Sequence, residues 1–327
     1  MAEFDLIDLI RTRCAAVRED VRLGIGDDAA LLAPPPGQLL VVSTDSLVAG
    51  VHFPHAASPY DIGWKALAVN LSDLAAMGAT PAWATLTLTM PQADSGWVAQ
   101  FADGFAALAA EFKLALVGGD TTRGELNIGV CVFGFVPRDA ALLRSGARVG
   151  DAIFVTGTLG DAAAGLRCMD KSADDAQHLF NAPADTREAL LTRLNRPVPR
   201  VAQGLALRGQ ANACIDVSDG LLADLEHICK ASGVGAEIDL ESLPASPALL
   251  RLFDADARAV LQASGGDDYE LCFTANAQTS GALLGDIARS GCAATRIGRV
   301  VAKSGVRALD GAGRPVTLDR AGWEHFA

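Results

Sequence analysis

Apolar and polar positions follow two periods along the chain, and the switches between them mark out its elements. Glu3 to Cys14 repeats at helical spacing, and Gln38 to Val42 is a short apolar strand leading into a polar turn. Pro59 to Gly78 predicts a helix, Ala82 to Met90 alternates as a strand, and Ser95 to Phe112 is again helical. Leu114 to Val117 and Leu126 to Val136 predict strands, and Leu142 to Gly150, with Arg144 and Arg148, reads as a linker. The second half opens with a strand at Asp151 to Thr156, then a Gly-rich turn into a helix at Leu159 to Met169. Asp170 to Asp185 is polar and reads as a surface excursion. Further strands are expected at Ala213 to Val217, Ala236 to Leu240, Tyr269 to Thr274 and Thr295 to Val300, with helices between them. Both halves mix the two periods. The pattern predicts an α+β protein of two mixed α/β domains, residues 1–141 and 142–327.

Composition narrows the function. The chain is 50% hydrophobic and 20% charged, which is a folding composition, and at 6% aromatic its core must be built from Ala, Val, Leu and Ile. A net charge of −12, with no Lys/Arg cluster, argues against nucleic acid and against an anionic membrane surface as partners. The N-terminal MAEFDLIDLIRTRC carries acids where a signal peptide carries bases, and no apolar stretch reaches transmembrane length. Seven scattered cysteines without a CxxC pair fit buried thiols, and a cytoplasmic location is expected.

The candidate chemistry lies in carboxylates set among apolar and Gly-rich neighbours. They occur in GIGDDAALL (Asp27, Asp28), VVSTDSLV (Asp45), VNLSDLAAMG (Asp73), VGGDTT (Asp120), CIDVSDGLL (Asp216, Asp219) and SGGDDYELCF (Asp267, Asp268). Singly, each fits a turn or a helix N-cap. Asp73 fits less easily, because it sits within a helical pattern where Asn70, Asp73 and Met77 share one face. Jointly, with bases nearly absent around them, the segments point to divalent cations preferring hard oxygen ligands, and to more than one ion. Mg²⁺ shares its coordination with substrate phosphates. The Gly-rich segments Gly118–Thr122 and Gly157–Gly160, each following a strand, are candidates to bring backbone N–H groups to a phosphate. No GxxxxGK[ST], HRD, DFG or dinucleotide fingerprint is present, which leaves a phosphoryl-transfer enzyme of another architecture.

At these residues a resemblance becomes specific. GIGDDAALL, STDSLVAGVHF, KALAVNLSDLAAMGATP, GGDTTRG, LLRSGARVGD, DVSDGL and GGDDYELCF follow one another as in the thiamine-monophosphate kinases, within the aminoimidazole ribonucleotide synthetase-like superfamily. The resemblance runs from about Asp5 to the terminal GWEHF. It implies a homodimer whose N-terminal domains share a sheet, with ATP as co-substrate and thiamine monophosphate as acceptor, giving thiamine diphosphate. It also implies several Mg²⁺ ions held by Asp28, Ser43, Thr44, Asp45, Asp73, Asp120, Asp216 and Asp219, and nucleotide contacts from Gly119, Asp120, Arg144 and Ser218. Asp73, Asp120 and Arg144 would carry the catalysis, and His52, Asp267 and Trp323 would line the acceptor site. In one departure, Asp267 stands where the family pattern GGEDYEL has Glu, keeping the charge with a shorter reach.

Two alternatives carry discriminating features. Selenophosphate synthetases want a reactive Cys or selenocysteine beside Lys near the N-terminus, whereas Cys14 lies in a Lys-free helix. The hydrogenase maturation proteins want a C-terminal Cys, whereas this chain ends EHFA. A non-catalytic nucleotide-binding regulator is disfavoured by an acid standing at every expected carboxylate position.

Overall fold

The period-two runs of the first half become one sheet in a computed structural model that describes residues 3–170, 176–278, 280–318 and 322. The chain forms two units, Met1–Leu74 with Ala79–Ala140, and Ala75–Gly78 with Ala141–Ala327. The first unit contains α1 (Glu3–Arg13), β1 (Val21–Leu23), β2 (Leu31–Leu32), β3 (Gln38–Val48), α2 (Pro59–Ala76, its last residues belonging to the second unit), β4 (Thr80–Met90), α3 (Ser95–Glu111), β5 (Ala115–Arg123) and β6 (Asn127–Pro137).

Strand order in its four-stranded sheet is β3-β6-β4-β5, antiparallel except for the parallel pair β4–β5. Trp83, Phe135, Val117 and Ala115 pack on one face, with Val21 and Leu32 of the β1–β2 pair against them. The Trp83 indole N–H donates to Asp20 Oδ1 at 3.1 Å. On the other face Leu74 of α2 lies against Gly134 of β6. A Cβ at Gly63 would overlap the Phe101 carbonyl, and one at Gly104 would overlap that of Tyr60, so α2 and α3 pack backbone to backbone. Asp94 caps α3, its Oδ1 accepting from the N–H groups of Gly96 and Trp97 at 2.9 and 3.0 Å.

The structure lengthens two strands relative to the sequence reading. The polar turn expected after Val42 is instead the second half of β3, because the backbone ladder to β6 runs unbroken from Gln38↔Pro137 to Val48↔Asn127. The hydroxyl and carboxylate side chains of Ser43–Ser46 then alternate across the strand as any strand residues would. Likewise Gly118–Thr122 is not a loop. It continues β5 beside β4, with a bulge at the Ala84/Thr85 step.

The second unit contains β7 (Ala152–Thr156), α4 (Asp161–Met169), α5 (Ala176–Phe180), α6 (Ala184–Asn195), α7 (Val201–Leu207), β8 (Ala213–Val217), α8 (Leu221–Ser232), β9 (Gly235–Asp239), α9 (Pro247–Leu252), α10 (Ala255–Ser264), β10 (Glu270–Ala275), α11 (Ser280–Arg289), β11 (Ala294–Val301), β12 (Gly305–Leu309) and β13 (Pro315–Val316). Its seven-stranded sheet has the order β13-β12-β9-β11-β7-β10-β8, and only β9–β12 is parallel. Leu221, Leu225 and Ile228 of α8 pack on Ile153, Ile215, Val217 and Ile238 of the sheet. A second cluster joins α4, α5, α6, α9 and α10 through Ala164, Leu179, Leu190, Leu249 and Leu261. The expected surface excursion therefore contains a packed helix, α5, with Leu179 buried; residues 171–175 lie outside the described residues. The expected linker is also anchored. Leu142 is buried, and the Ser232 hydroxyl accepts from the N–H groups of Gly146 and Ala147 at 3.1 Å each. Among the described residues no helix is long and apolar enough to cross a membrane.

Candidate active site

Helical spacing on α2 decides the first half of the site. Asn70 and Asp73, one turn apart, both face β3. Asn70 Oδ1 accepts from the Asp45 N–H at 3.0 Å, and its amide donates back to Ala66 O at 3.0 Å. The Ser43 hydroxyl donates to Asp73 Oδ2. Asn70 is fully buried while Ser43, Asp45 and Asp73 are half-buried, so these oxygens line an accessible edge from rigid elements. The exposed Thr44 turns its hydroxyl to Val130 O at 3.0 Å, across to β6. His52 follows β3 in the chain. Its Nδ1 accepts from the Val48 N–H at 2.9 Å, which places the proton of a neutral ring on Nε2.

Asp120 stands elsewhere. It lies on β5, level with Thr87 of β4, whereas Ser43 and Asp45 lie on β3 at the other edge of the sheet. A Cβ at Gly119 would overlap the Leu86 carbonyl, and Gly119 has φ +154°, so this position accepts glycine alone. Gly118 to Thr121 line a small hollow of about 50 Å³ with Ile7, Ile10 and Ile25. Asp27 and Asp28 are exposed, and Asp27 Oδ1 accepts from the Asp28 N–H at 2.9 Å. Among the described residues no group of three or more His, Cys, Asp or Glu is gathered as a metal site.

In the second unit, β8 ends at Val217 and its chain turns through Ser218, Asp219 and Gly220 into α8. Asp216 on β8 is buried, and Ser218 and Asp219 are half-buried. A second segment, Gly265–Tyr269, runs beside this turn: the Asp267 N–H donates to Ser218 O and that of Tyr269 to Val217 O, both at 2.8 Å. Asp267 and Tyr269 both hold positive φ, +68° and +50°, and the Tyr269 hydroxyl donates to Asp267 Oδ1 at 3.1 Å. Between them Asp268 is buried and accepts from the Gly160 N–H at 2.8 Å, and burial pushes its carboxyl well above the usual range. Arg144 is exposed on the segment preceding β7, and its carbonyl accepts from the Ser232 hydroxyl at 3.3 Å. Trp323 lies outside the described residues.

Two groups here escaped the sequence reading. Asp224, in the first turn of α8, is buried, and its Oδ2 accepts from the N–H groups of Ser218, Asp219 and Gly220 at 3.0, 3.1 and 3.2 Å. Burial, then the neighbouring Asp219 carboxylate, pushes Asp224 up to about 7 against the pull of those three donors. Its signal was the one used elsewhere, an acid in an apolar helix, in VSDGLLADL. Glu270 is fully buried and is held by Arg200 through two hydrogen bonds of 2.6 Å each, by Arg193 at 2.8 Å and by the Thr156 hydroxyl at 2.7 Å. The Gly157–Gly160 turn is also committed internally, since the N–H groups of Gly157, Leu159 and Gly160 donate to Ala293 O, Pro244 O and Asp268. That removes it as the phosphate cradle expected from its glycines.

Residues 26–136 match the family model of the AIR synthase related protein N-terminal domain, and residues 148–311 that of its C-terminal domain. The thiamine-monophosphate kinase of Escherichia coli K12 is 49% identical over 325 residues, covering 99% of this chain and 98% of that protein. The chain belongs to the thiamine-monophosphate kinase family. The Haemophilus influenzae member is 40% identical, covering 100% of this chain and 98% of its own. The solved thiamine-monophosphate kinase of Stenotrophomonas maltophilia K279a superposes with TM-score 0.87 at 50% identity, covering 97% of this chain and 98% of that one. AaThiL complexed with AMPPCP and TMP superposes with TM-score 0.76 at 34% identity, covering 99% and 97%. The E. coli hydrogenase maturation protein HypE, at 23% identity and TM-score 0.74, shares the fold. For a thiamine-monophosphate kinase, the two oxygen-rich segments described here have a coherent chemistry. They offer hydroxyl and carboxylate oxygens in the first unit, and a pinned Ser-Asp-Gly turn in the second.

Proposed function

We propose that the chain transfers the γ-phosphoryl group of ATP directly to the phosphate of thiamine monophosphate, giving thiamine diphosphate and ADP, as the last step of thiamine diphosphate formation. The observation carrying this reading is the placement of Ser43, Asp45 and Asp73 on one accessible edge within a chain 49% identical to the E. coli thiamine-monophosphate kinase.

The donors fit Mg²⁺. They are all hard oxygens, hydroxyls and carboxylates, and no thiol or imidazole stands among the residues assigned to the metal. Asp28, Ser43, Thr44, Asp45, Asp73 and Asp120 of the first unit, and Asp216 and Asp219 of the second, would hold the ions. Bound there, Mg²⁺ would neutralise charge on the phosphate oxygens. Gly119, Asp120, Arg144 and Ser218 are assigned to the nucleotide, with Arg144 contributing positive charge toward the phosphates. His52, Asp267 and Trp323 are assigned to the acceptor, an aromatic face suiting the cationic thiazolium.

An oxygen of the acceptor phosphate forms the new bond to the γ-phosphorus as the bond to the β–γ bridging oxygen breaks, and ADP carries away that charge. The acceptor phosphate is already ionised at neutral pH, so the chain's residues bind and orient and none needs to take a proton.

A homodimer is part of the proposal. The edge strand β3 exposes Leu39, Leu40 and Val42 at 40%, 47% and 52%, which is an unprotected edge for a monomer and a pairing surface for a second copy. Steady-state assays test the whole reading: thiamine diphosphate should form from thiamine monophosphate, ATP and Mg²⁺, and stop when chelator is added. Unphosphorylated thiamine turned over equally well would overturn it.

A further inference from the structure

The turn that carries Ser218 and Asp219 is shaped by an acid outside it. Three consecutive N–H groups, of Ser218, Asp219 and Gly220, converge on the single oxygen Asp224 Oδ2 at 3.0 to 3.2 Å. Successive backbone donors turned toward one anion form a nest, and here the protein supplies the anion itself. Asp224 is 3% exposed, and α8 is fixed beneath it by Leu221 and Leu225, both in the core of the second unit. The carboxylate therefore cannot follow the turn if the turn moves. A second tether acts from the other side, where the N–H groups of Asp267 and Tyr269 donate to Ser218 O and Val217 O at 2.8 Å. The backbone from Val217 to Gly220 is thus held by N–H donors on one flank and carbonyl acceptors on the other.

We propose that Asp224 is a positioning residue for Mg²⁺-nucleotide binding, holding the Ser218–Gly220 turn in its binding shape before the ligand arrives; the inference rests on the assignment of Ser218 and Asp219 above. A turn organised by its own protein loses no further conformational freedom when ligand binds, and affinity rises accordingly. Asp224 acts only through the backbone it holds and touches no substrate.

The test uses the full chain, a non-hydrolysable ATP analogue with Mg²⁺, titration calorimetry and steady-state kinetics. Asp224→Ala should weaken Mg²⁺-analogue binding about tenfold or more and raise KM for ATP in parallel, while KM for thiamine monophosphate stays within about twofold. Asp224→Asn keeps an oxygen acceptor at the same reach, so it should recover most of the affinity. It also guards against an alanine variant that fails to fold. Wild-type Mg²⁺-analogue affinity in a folded Asp224→Ala protein would overturn the proposal. So would equal losses in both variants that track a lower melting temperature alone. If the wild-type chain forms no thiamine diphosphate but the alanine loss and asparagine recovery of nucleotide affinity persist, the kinase reading fails and the positioning role stands. A wild-type chain that binds no Mg²⁺-analogue overturns both.

Discussion

Asp73 joins a helix-borne carboxylate to the hydroxyl of a strand residue in the first unit. Its helix presents it beside Asn70 toward β3, and the Ser43 hydroxyl donates to it. Asp73→Asn preserves size and most hydrogen bonding while removing the charge. The expected outcome is a fall in kcat of about a hundredfold or more, roughly 2.8 kcal/mol at about 1.4 kcal/mol per tenfold, with the fold retained. Steady-state kinetics beside thermal unfolding checks it: an active Asp73→Asn protein with a much lower melting temperature would make the aspartate structural. Gly119 offers a steric counterpart. Because an added methyl would overlap the Leu86 carbonyl, Gly119→Ala should shift β5 from β4, costing about 1–3 kcal/mol of stability and raising KM for ATP. An unchanged KM with lowered stability would separate packing from binding at that strand.

Among the elements, Glu270 tests how β10 is held. Fully buried, it depends on Arg193 and Arg200, which reach it from 77 and 70 residues away. Arg200→Met should destabilise the protein by about 3 kcal/mol in urea titration, because a buried carboxylate loses its bidentate partner. A change below about 0.5 kcal/mol would mean the remaining contacts suffice. That pair also marks the limit of what the sequence discloses. Periodicity located α2, α3, β4, β6 and β8 because their apolar faces are read locally, and the three-residue spacing of Asn70 and Asp73 indicated their common face. It missed the extension of β3, since STDS looks like a turn and only the ladder to β6 makes it a strand. It ended the strand at Val117 and set Gly118–Thr122 after it, since its glycines answer to a neighbouring strand's carbonyl and not to a turn. Asp224 carried a local signal, an acid in an apolar helix, but its three backbone donors, like the Arg193–Glu270–Arg200 group, depend on tertiary placement, which no local pattern contains.

At the scale of the whole molecule, the exposed apolar edge at β3 predicts association. Light scattering at micromolar concentration should give about 68 kDa, twice the 33.8 kDa chain, and Val42→Glu should shift the protein toward monomer. A wild-type mass near 33.8 kDa would remove the dimer. Direct transfer between two phosphates is open to a single labelling measurement. ATP carrying radiolabel only on its γ-phosphate is incubated with the chain, Mg²⁺ and thiamine monophosphate, and the products are separated. Direct transfer predicts that the label appears in the terminal phosphate of thiamine diphosphate, in step with ADP and with little inorganic phosphate. Label released as inorganic phosphate, with no thiamine diphosphate formed, would contradict it.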